Sequence, residues 1–192
     1  MADPITILGI AGSLRKDSYN KAALRAAQAL CPQGARLEIY DIAGLPLFNQ
    51  DDEKNPTPKV TDFKQKIRAA HAIFFSTAEY NYGLPGVLKN AIDCASRPYG
   101  DSAWSGKPVA IMSAAMGTAG GLRAQYQLRQ SFVFLNMDAV VQPEVAIAAA
   151  HQRFDDKGNL TDETSKKMIR QLLENLIAKA RMLRQQPLRQ AA

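Results

Sequence analysis

Three short segments of this 192-residue chain concentrate side chains able to hold a charged, planar ligand. The first is Gly12-Ser13-Leu14-Arg15-Lys16-Asp17-Ser18-Tyr19-Asn20, with two hydroxyls (Ser13, Ser18), an amide (Asn20) and a guanidinium (Arg15) close together. A phosphate dianion needs such a donor-rich, positive nest at a helix start, where free backbone N–H groups add to the side chains. The second is Ala78-Glu79-Tyr80-Asn81-Tyr82-Gly83-Leu84-Pro85-Gly86. Its tyrosines, amide and Gly/Pro turn make a flat, hydrogen-bonding wall of the kind a heteroaromatic ring requires. The third, Ala114-Ala115-Met116-Gly117-Thr118-Ala119-Gly120-Gly121, carries three glycines in five positions, so its backbone N–H groups can approach a ligand closely. Each segment also has a plain structural reading: a Ser-capped turn, a turn with core tyrosines, a glycine-rich loop.

What must position these segments is a regular alternation of strand-like and helix-like runs. Residues 5–11 (ITILGIA), 72–77 (AIFFST) and 109–114 (VAIMSA) are continuous apolar runs, the mark of strands buried on both faces. Residues 36–42 (RLEIYDI) alternate, as a more exposed strand does, and residues 139–148 supply a fifth strand with Pro143 inside it, which suits an edge. Helices are expected between them: one capped by Ser18 with Ala22, Ala23, Ala26, Ala27 and Leu30 on its apolar face; one burying Val60, Phe63, Ile67 and Ala70; one opened by Pro85 in its first turn and burying Val87, Leu88, Ala91, Ile92 and Ala95. Two more follow at about 122–135 and 162–185, the last with the most regular periodicity. Five strands alternating with five helices predict a doubly wound α/β sheet, a single domain over 1–192, with strand order 2-1-3-4-5. Ligands of such sheets bind beyond the carboxyl ends of the strands, where the winding reverses. The three segments follow strands 1, 3 and 4 and meet there. Phosphate at the first and a planar ring between the other two describe FMN.

Several function classes are excluded or disfavoured. There is no GxxxxGK[ST] and no GxGxxG, so the chain is not a P-loop protein and a Rossmann-type bound NAD is disfavoured. His71 and His151 stand alone, and Cys31 and Cys94 lack metal-ligand spacing, so neither a zinc site nor a Ser/His/Asp triad is expected. The cysteines read as buried small side chains in a reducing cytoplasm. No apolar run approaches the ~18 residues of a membrane span, and Met1-Ala2-Asp3-Pro4 lacks a basic n-region and cleavage site. The +6 net charge lies wholly beyond residue 165, where Lys166, Lys167, Arg170, Lys179, Arg181, Arg184 and Arg189 face one acid, Glu174. A basic last helix suits its own dipole, and its solvated face is the expected reading over nucleic-acid or membrane contact.

The chain also resembles the NADPH-dependent FMN reductases, especially their quinone and chromate reductase branch, from about residue 5 to 148. The resemblance rests on Gly12-Ser13-Leu14-Arg15 with Ser18 and Asn20, on Leu45-Pro46-Leu47-Phe48-Asn49-Gln50-Asp51, and on Glu79-Tyr80-Asn81. It continues through Pro85-Gly86-Val87-Leu88-Lys89-Asn90-Ala91-Ile92-Asp93, Ser96-Arg97-Pro98, Gly106-Lys107-Pro108 and Gly120-Gly121-Leu122-Arg123-Ala124-Gln125. It implies a flavodoxin-like three-layer sandwich, FMN as bound cofactor, NADPH or NADH as electron donor, and homodimers or homotetramers. By position, Ser13, Arg15, Ser18 and Asn20 would hold the phosphate, and Tyr19 would also bind the cofactor. Glu79, Tyr80, Asn81, Tyr82 and Gly83 would line ribityl and ring, and Ser113, Met116 and Gly117 would face the isoalloxazine. Three positions depart from the family: Ala78 stands where proline is usual, Cys94 replaces a common tryptophan, and Met116-Gly117-Thr118 is less Gly/Ser-rich.

The function expected is a ping-pong NAD(P)H oxidoreductase passing two electrons to a quinone, free flavin, azo dye or chromate. The flavin carries the chemistry, so no side-chain nucleophile or general base is expected. An electron-carrier flavodoxin is the alternative, against which the pI of about 9.4 argues. A nucleic-acid-binding protein lacks a recognition motif.

Overall fold

The computed structural model of the protein describes residues 3–185. Met1, Ala2 and Arg189 of the sequence reading lie outside the described residues. Four strands form the body of the sheet: β1 (Ile5–Gly12), β2 (Ala35–Tyr40), β3 (Ala72–Thr77) and β4 (Pro108–Ala114). All pairings are parallel, with β1 between β2 and β3, and β3 between β1 and β4. The apolar runs explain this placement. β3 and β4 are buried along their whole length, as strands covered on both faces must be, whereas β2, on the edge, buries only Leu37.

The helices cover both faces. α1 (Tyr19–Ala29) and α5 (Glu163–Gln185) pack on one, through Ala23, Leu24, Ala27, Ile169, Leu173 and Leu176. α2 (Pro58–Ala69), α3 (Gly86–Ser96) and α4 (Leu122–Phe134) pack on the other, through Phe63, Ile67, Leu88, Ala91, Leu128 and Phe132. Between these helices the fully buried Trp104 stacks edge-on to Phe63, and its indole N–H donates to the Ile92 carbonyl at 2.9 Å. Local signals set the helix starts. Ser18 caps α1, its hydroxyl oxygen accepting from Asn20 N–H at 3.2 Å, and Thr57 caps α2 with Pro58 behind it. The periodic face of α5 packs inward, while its outer basic residues meet solvent or single acids: Lys166 pairs with Glu163 and Lys179 with Asp138. Among the described residues, no helix is long and apolar enough to cross a membrane.

Two expectations need correction. Pro85 occupies the cap position of α3, one residue before the helix, and not its first turn. The fifth strand is two short ones, β5 (Asp138–Ala139) and β6 (Val145–Ile147), each paired with β4. Between them lies Pro143, which has no N–H to donate to the ladder, so the edge breaks there and resumes one step on. The fifth position of the predicted order is thus held by a divided strand.

At the amino end of the sheet, His71 closes the start of β1. Thr6 N–H donates to His71 Nδ1 at 2.9 Å, and His71 N–H to the Thr6 carbonyl at 2.8 Å. Burial first, then the positive charges of Arg184, Lys107 and Arg36, lower the imidazole pKa, against a smaller opposing effect of Asp3. A folded-state pKa below the unfolded value of about 6.5 means stability that is full above that pH and is lost as pH falls through the folded value. Urea unfolding between pH 7.5 and 5 is therefore expected to show wild type losing its advantage over His71→Asn as the pH drops. A constant difference would detach His71 from the pH response.

Candidate functional site

The carboxyl ends of β1, β3 and β4 open into one cavity of about 590 Å³, to which the three segments all contribute. Sites for cofactors and small ligands run from roughly 300 to 1,000 Å³. The loop after β1 brings Arg15, Ser18, Tyr19 and Asn20 to it. Lys21 Nζ closes this loop by donating to the Leu14 carbonyl at 3.3 Å. The Arg15 guanidinium donates to the Asp17 carbonyl and lies 5.8 Å from the Tyr19 ring centre, exposed and without a carboxylate partner among the described residues. No acid sits in the first turn of α1, whose positive end lies at the cavity. Ser13 is buried behind the loop, its Oγ accepting from Arg15 N–H at 3.3 Å, and does not line the cavity.

Asn20 has a second task. Its side chain is 3% exposed, and its Nδ2 donates to the Ala114 carbonyl at 2.8 Å. Its Oδ1 accepts from Ala114 N–H at 2.9 Å and from the Ser76 hydroxyl at 3.1 Å. One amide thus ties α1 to the ends of β3 and β4.

The loop after β4 lines the cavity over residues 114–121, Met116 and Gly117 included. It rests on a buried relay. Gln125 Nε2, from the first turn of α4, donates to Ser113 Oγ at 2.7 Å and to the Val145 carbonyl at 2.8 Å, and Ser113 Oγ donates to the Gly120 carbonyl at 2.6 Å. Ser113 therefore lies fully buried beneath the loop, outside the cavity. Gly121, with φ 89°, could carry no Cβ, because Ser113 Cβ would stand 2.8 Å from it.

The loop after β3 gives Ala78, Glu79 and Tyr80 to the wall. Glu79 caps α4: its Oε2 accepts from the N–H groups of Arg123 and Ala124 at 3.0 and 3.3 Å, and its Oε1 from Arg123 Nη1 at 2.7 Å. This hydrogen-bonded carboxylate raises the Arg123 pKa further. α4 starts at Gly121, which has no capping side chain, and Glu79 supplies what the helix start lacks. Beyond it, Tyr80 and Gly83 exchange two backbone hydrogen bonds around Asn81 and Tyr82, whose φ values are 49° and 66°. A bulky residue in the left-handed region costs about 1–2 kcal/mol. The turn holds Tyr82 outward, where the Arg123 guanidinium lies 3.8 Å from its ring centre. Asn81, Tyr82 and Gly83 shape this rim and do not line the cavity. Arg123 does line it, and sequence reasoning missed it as a site residue; its place in the first helical turn after a glycine-rich loop was the available signal.

The sheet and its three convergent loops define a flavodoxin-like α/β protein with one cavity at the carboxyl ends of β1, β3 and β4. The profile of the NADPH-dependent FMN reductases matches residues 5–152. The chain is 49% identical over 185 residues to an NAD(P)H-dependent FMN reductase of Pseudomonas aeruginosa, covering 96% of this chain and 100% of that one. It is 46% identical over 165 residues to a quinone reductase of Pseudomonas putida, covering 85% and 89%. Among solved structures, FerB of Paracoccus denitrificans, a flavoenzyme NAD(P)H:(acceptor) oxidoreductase, superposes with a TM-score of 0.85 at 30% identity, covering 93% and 98%. The chain belongs to the NADPH-dependent FMN reductase family. It is an FMN-dependent oxidoreductase with NAD(P)H as electron donor.

Proposed function

We propose that this enzyme reduces quinones, and other small oxidants such as chromate, with electrons from NAD(P)H. The observation that carries the reading is the single cavity joining the start of α1, with Arg15, to a glycine-rich wall after β4. Quinone reductases among the relatives support the acceptor class. Bound FMN would supply hydride acceptance and two-electron delivery.

The chain's own residues would bind and orient. Arg15, Ser18 and the first-turn N–H groups of α1 would hold the phosphate, with Tyr19 against the ribityl chain. Asn20 and Ser13 would act from behind, holding the loop after β1 in shape. Glu79 would keep the loops after β3 and β4 together, while Tyr80, Met116 and Gly117 would flank the ring and Ser113 would support Gly117's loop from below. Asn81, Tyr82 and Gly83 would form the rim past which donor and acceptor enter in turn. Tyr80 and Met116 are 55% and 65% exposed, so the ring end is open enough for both.

A homodimer or homotetramer is the assembly we infer: Leu47, Val133 and Phe134 are 85%, 85% and 75% exposed, large apolar side chains of the kind that association covers. The free thiols of Cys31 and Cys94 support a cytoplasmic setting.

An anaerobic absorption spectrum of the FMN-loaded protein tests the function. NADPH should bleach the flavin band and a quinone should restore it. A band that NADPH leaves intact would contradict the reading. For Arg15→Ala, loss of one charge-assisted contact of about 1.5–3 kcal/mol should weaken FMN binding roughly 10- to 100-fold. An unchanged dissociation constant by flavin fluorescence would remove Arg15 from the phosphate site.

A further inference from the structure

A second cavity, of about 410 Å³, lies between the 46–56 loop and helices α2 and α3, and shares no residue with the first. The loop is strapped over α3 at two places. Phe48 N–H donates to Asn90 Oδ1 at 2.7 Å while Asn90 Nδ2 donates to the Pro46 carbonyl at 2.8 Å, and Arg97 pairs with Glu53 at 2.5 Å, both largely buried. The cavity walls include Pro46, Phe48, Pro56 and Pro98, rigid flat faces suited to an aromatic ring.

One polar group inside is incompletely used. Lys64 is 7% exposed, and its Nζ donates to the Arg97 carbonyl at 2.5 Å and to Asp101 Oδ2 at 2.7 Å. An ammonium has three N–H bonds, and among the described residues the third meets no acceptor. Cys94 faces the same cavity, its thiol donating weakly to the Pro46 carbonyl at 3.6 Å. Burial pushes that thiol's pKa up, so it is a packing surface rather than a nucleophile. A side chain as small as cysteine leaves the space open.

We infer that this cavity is an accessory binding site for a one- or two-ring aromatic compound carrying a carbonyl or phenolic oxygen. The ring lies between the prolines and Phe48, and the oxygen accepts the third Lys64 hydrogen. The site shares no lining residue with the cavity assigned to FMN.

The test titrates the FMN-loaded protein with 2-naphthol by calorimetry, in wild type, Cys94→Trp and Lys64→Met. Wild type should bind saturably. Cys94→Trp, which fills the cavity, should bind at least tenfold more weakly with unchanged flavin absorbance and NADPH oxidation, and Lys64→Met at least fivefold more weakly. Val60→Phe, which narrows the cavity from α2, serves the same end should the tryptophan variant not fold. Equal binding in wild type and the filled variants would place the naphthol elsewhere and overturn the inference. Absence of binding in wild type up to the solubility limit would overturn it too. Naphthol binding is read separately from NADPH oxidation, so either reading can fail alone.

Discussion

Gly120→Ala is expected to destabilise the protein by about 3 kcal/mol and to weaken FMN binding at least tenfold. Gly120 has φ 60°, and a Cβ there would stand 2.9 Å from the Ala146 carbonyl carbon, 3.0 Å from its oxygen and 3.0 Å from Ala148 N. These are backbone atoms at and beside β6 and cannot swing aside. The left-handed conformation costs an alanine about 1–2 kcal/mol and the overpacking about as much again. Relief requires the loop after β4 to move, which carries residues 115–119 of the cavity wall with it. Urea midpoints and flavin fluorescence titrations would read both effects. Gly86→Ala is the control, since a Cβ there meets nothing within 4 Å at the first position of α3. It should be neutral or slightly stabilising. Equal behaviour of the two variants would mean that the loop yields more easily than its contacts imply.

Asn20→Leu is expected to cost about 3–5 kcal/mol. It leaves the N–H and carbonyl of Ala114 and the Ser76 hydroxyl without the partner that now serves all three, and each buried unpaired group costs roughly 1–3 kcal/mol. The comparison with Arg15→Ala is informative. A residue that only touches the ligand leaves the FMN-free protein's melting temperature in place when removed, as Arg15→Ala should. A residue that fixes the loop lowers it. Asn20→Leu with weakened FMN binding and an unshifted melting temperature would make Asn20 a direct ligand and refute the clamp.

The layout of the fold was legible because burial on both faces writes itself as unbroken apolar runs at β1, β3 and β4, and the parallel order follows from alternation with helices. The edge was less legible. Pro143 was visible, but how far the strand resumes past it depends on what β4 offers at Met112, Ser113 and Ala114. In the site, residue types pointed to three loops that the structure brings to one cavity, whereas the hydrogen bonds of individual side chains did not show. Asn20 reads as a phosphate donor, and nothing in its own segment shows that it also clamps Ala114, 94 positions away. Glu79 reads as a contact to ribityl and ring, and nothing in its own segment shows that it also caps α4 at Arg123, 44 positions on. Polar side chains in such loops serve backbone groups made adjacent only by the finished sheet, and one sequence position does not announce a distant orphan N–H.

The capping of α4 by Glu79 gives the cavity an electrical direction. Two helices begin at its margin. At α4 the positive end and the Arg123 guanidinium are both answered by the Glu79 carboxylate. At α1 nothing negative stands in the first turn, and Arg15 adds a full charge beside it. A ligand with a dianion at one extremity and a neutral ring at the other meets attraction at one wall and near-neutrality at the opposite one. Such a ligand is expected to dock with its dianion toward α1 and its ring toward α4.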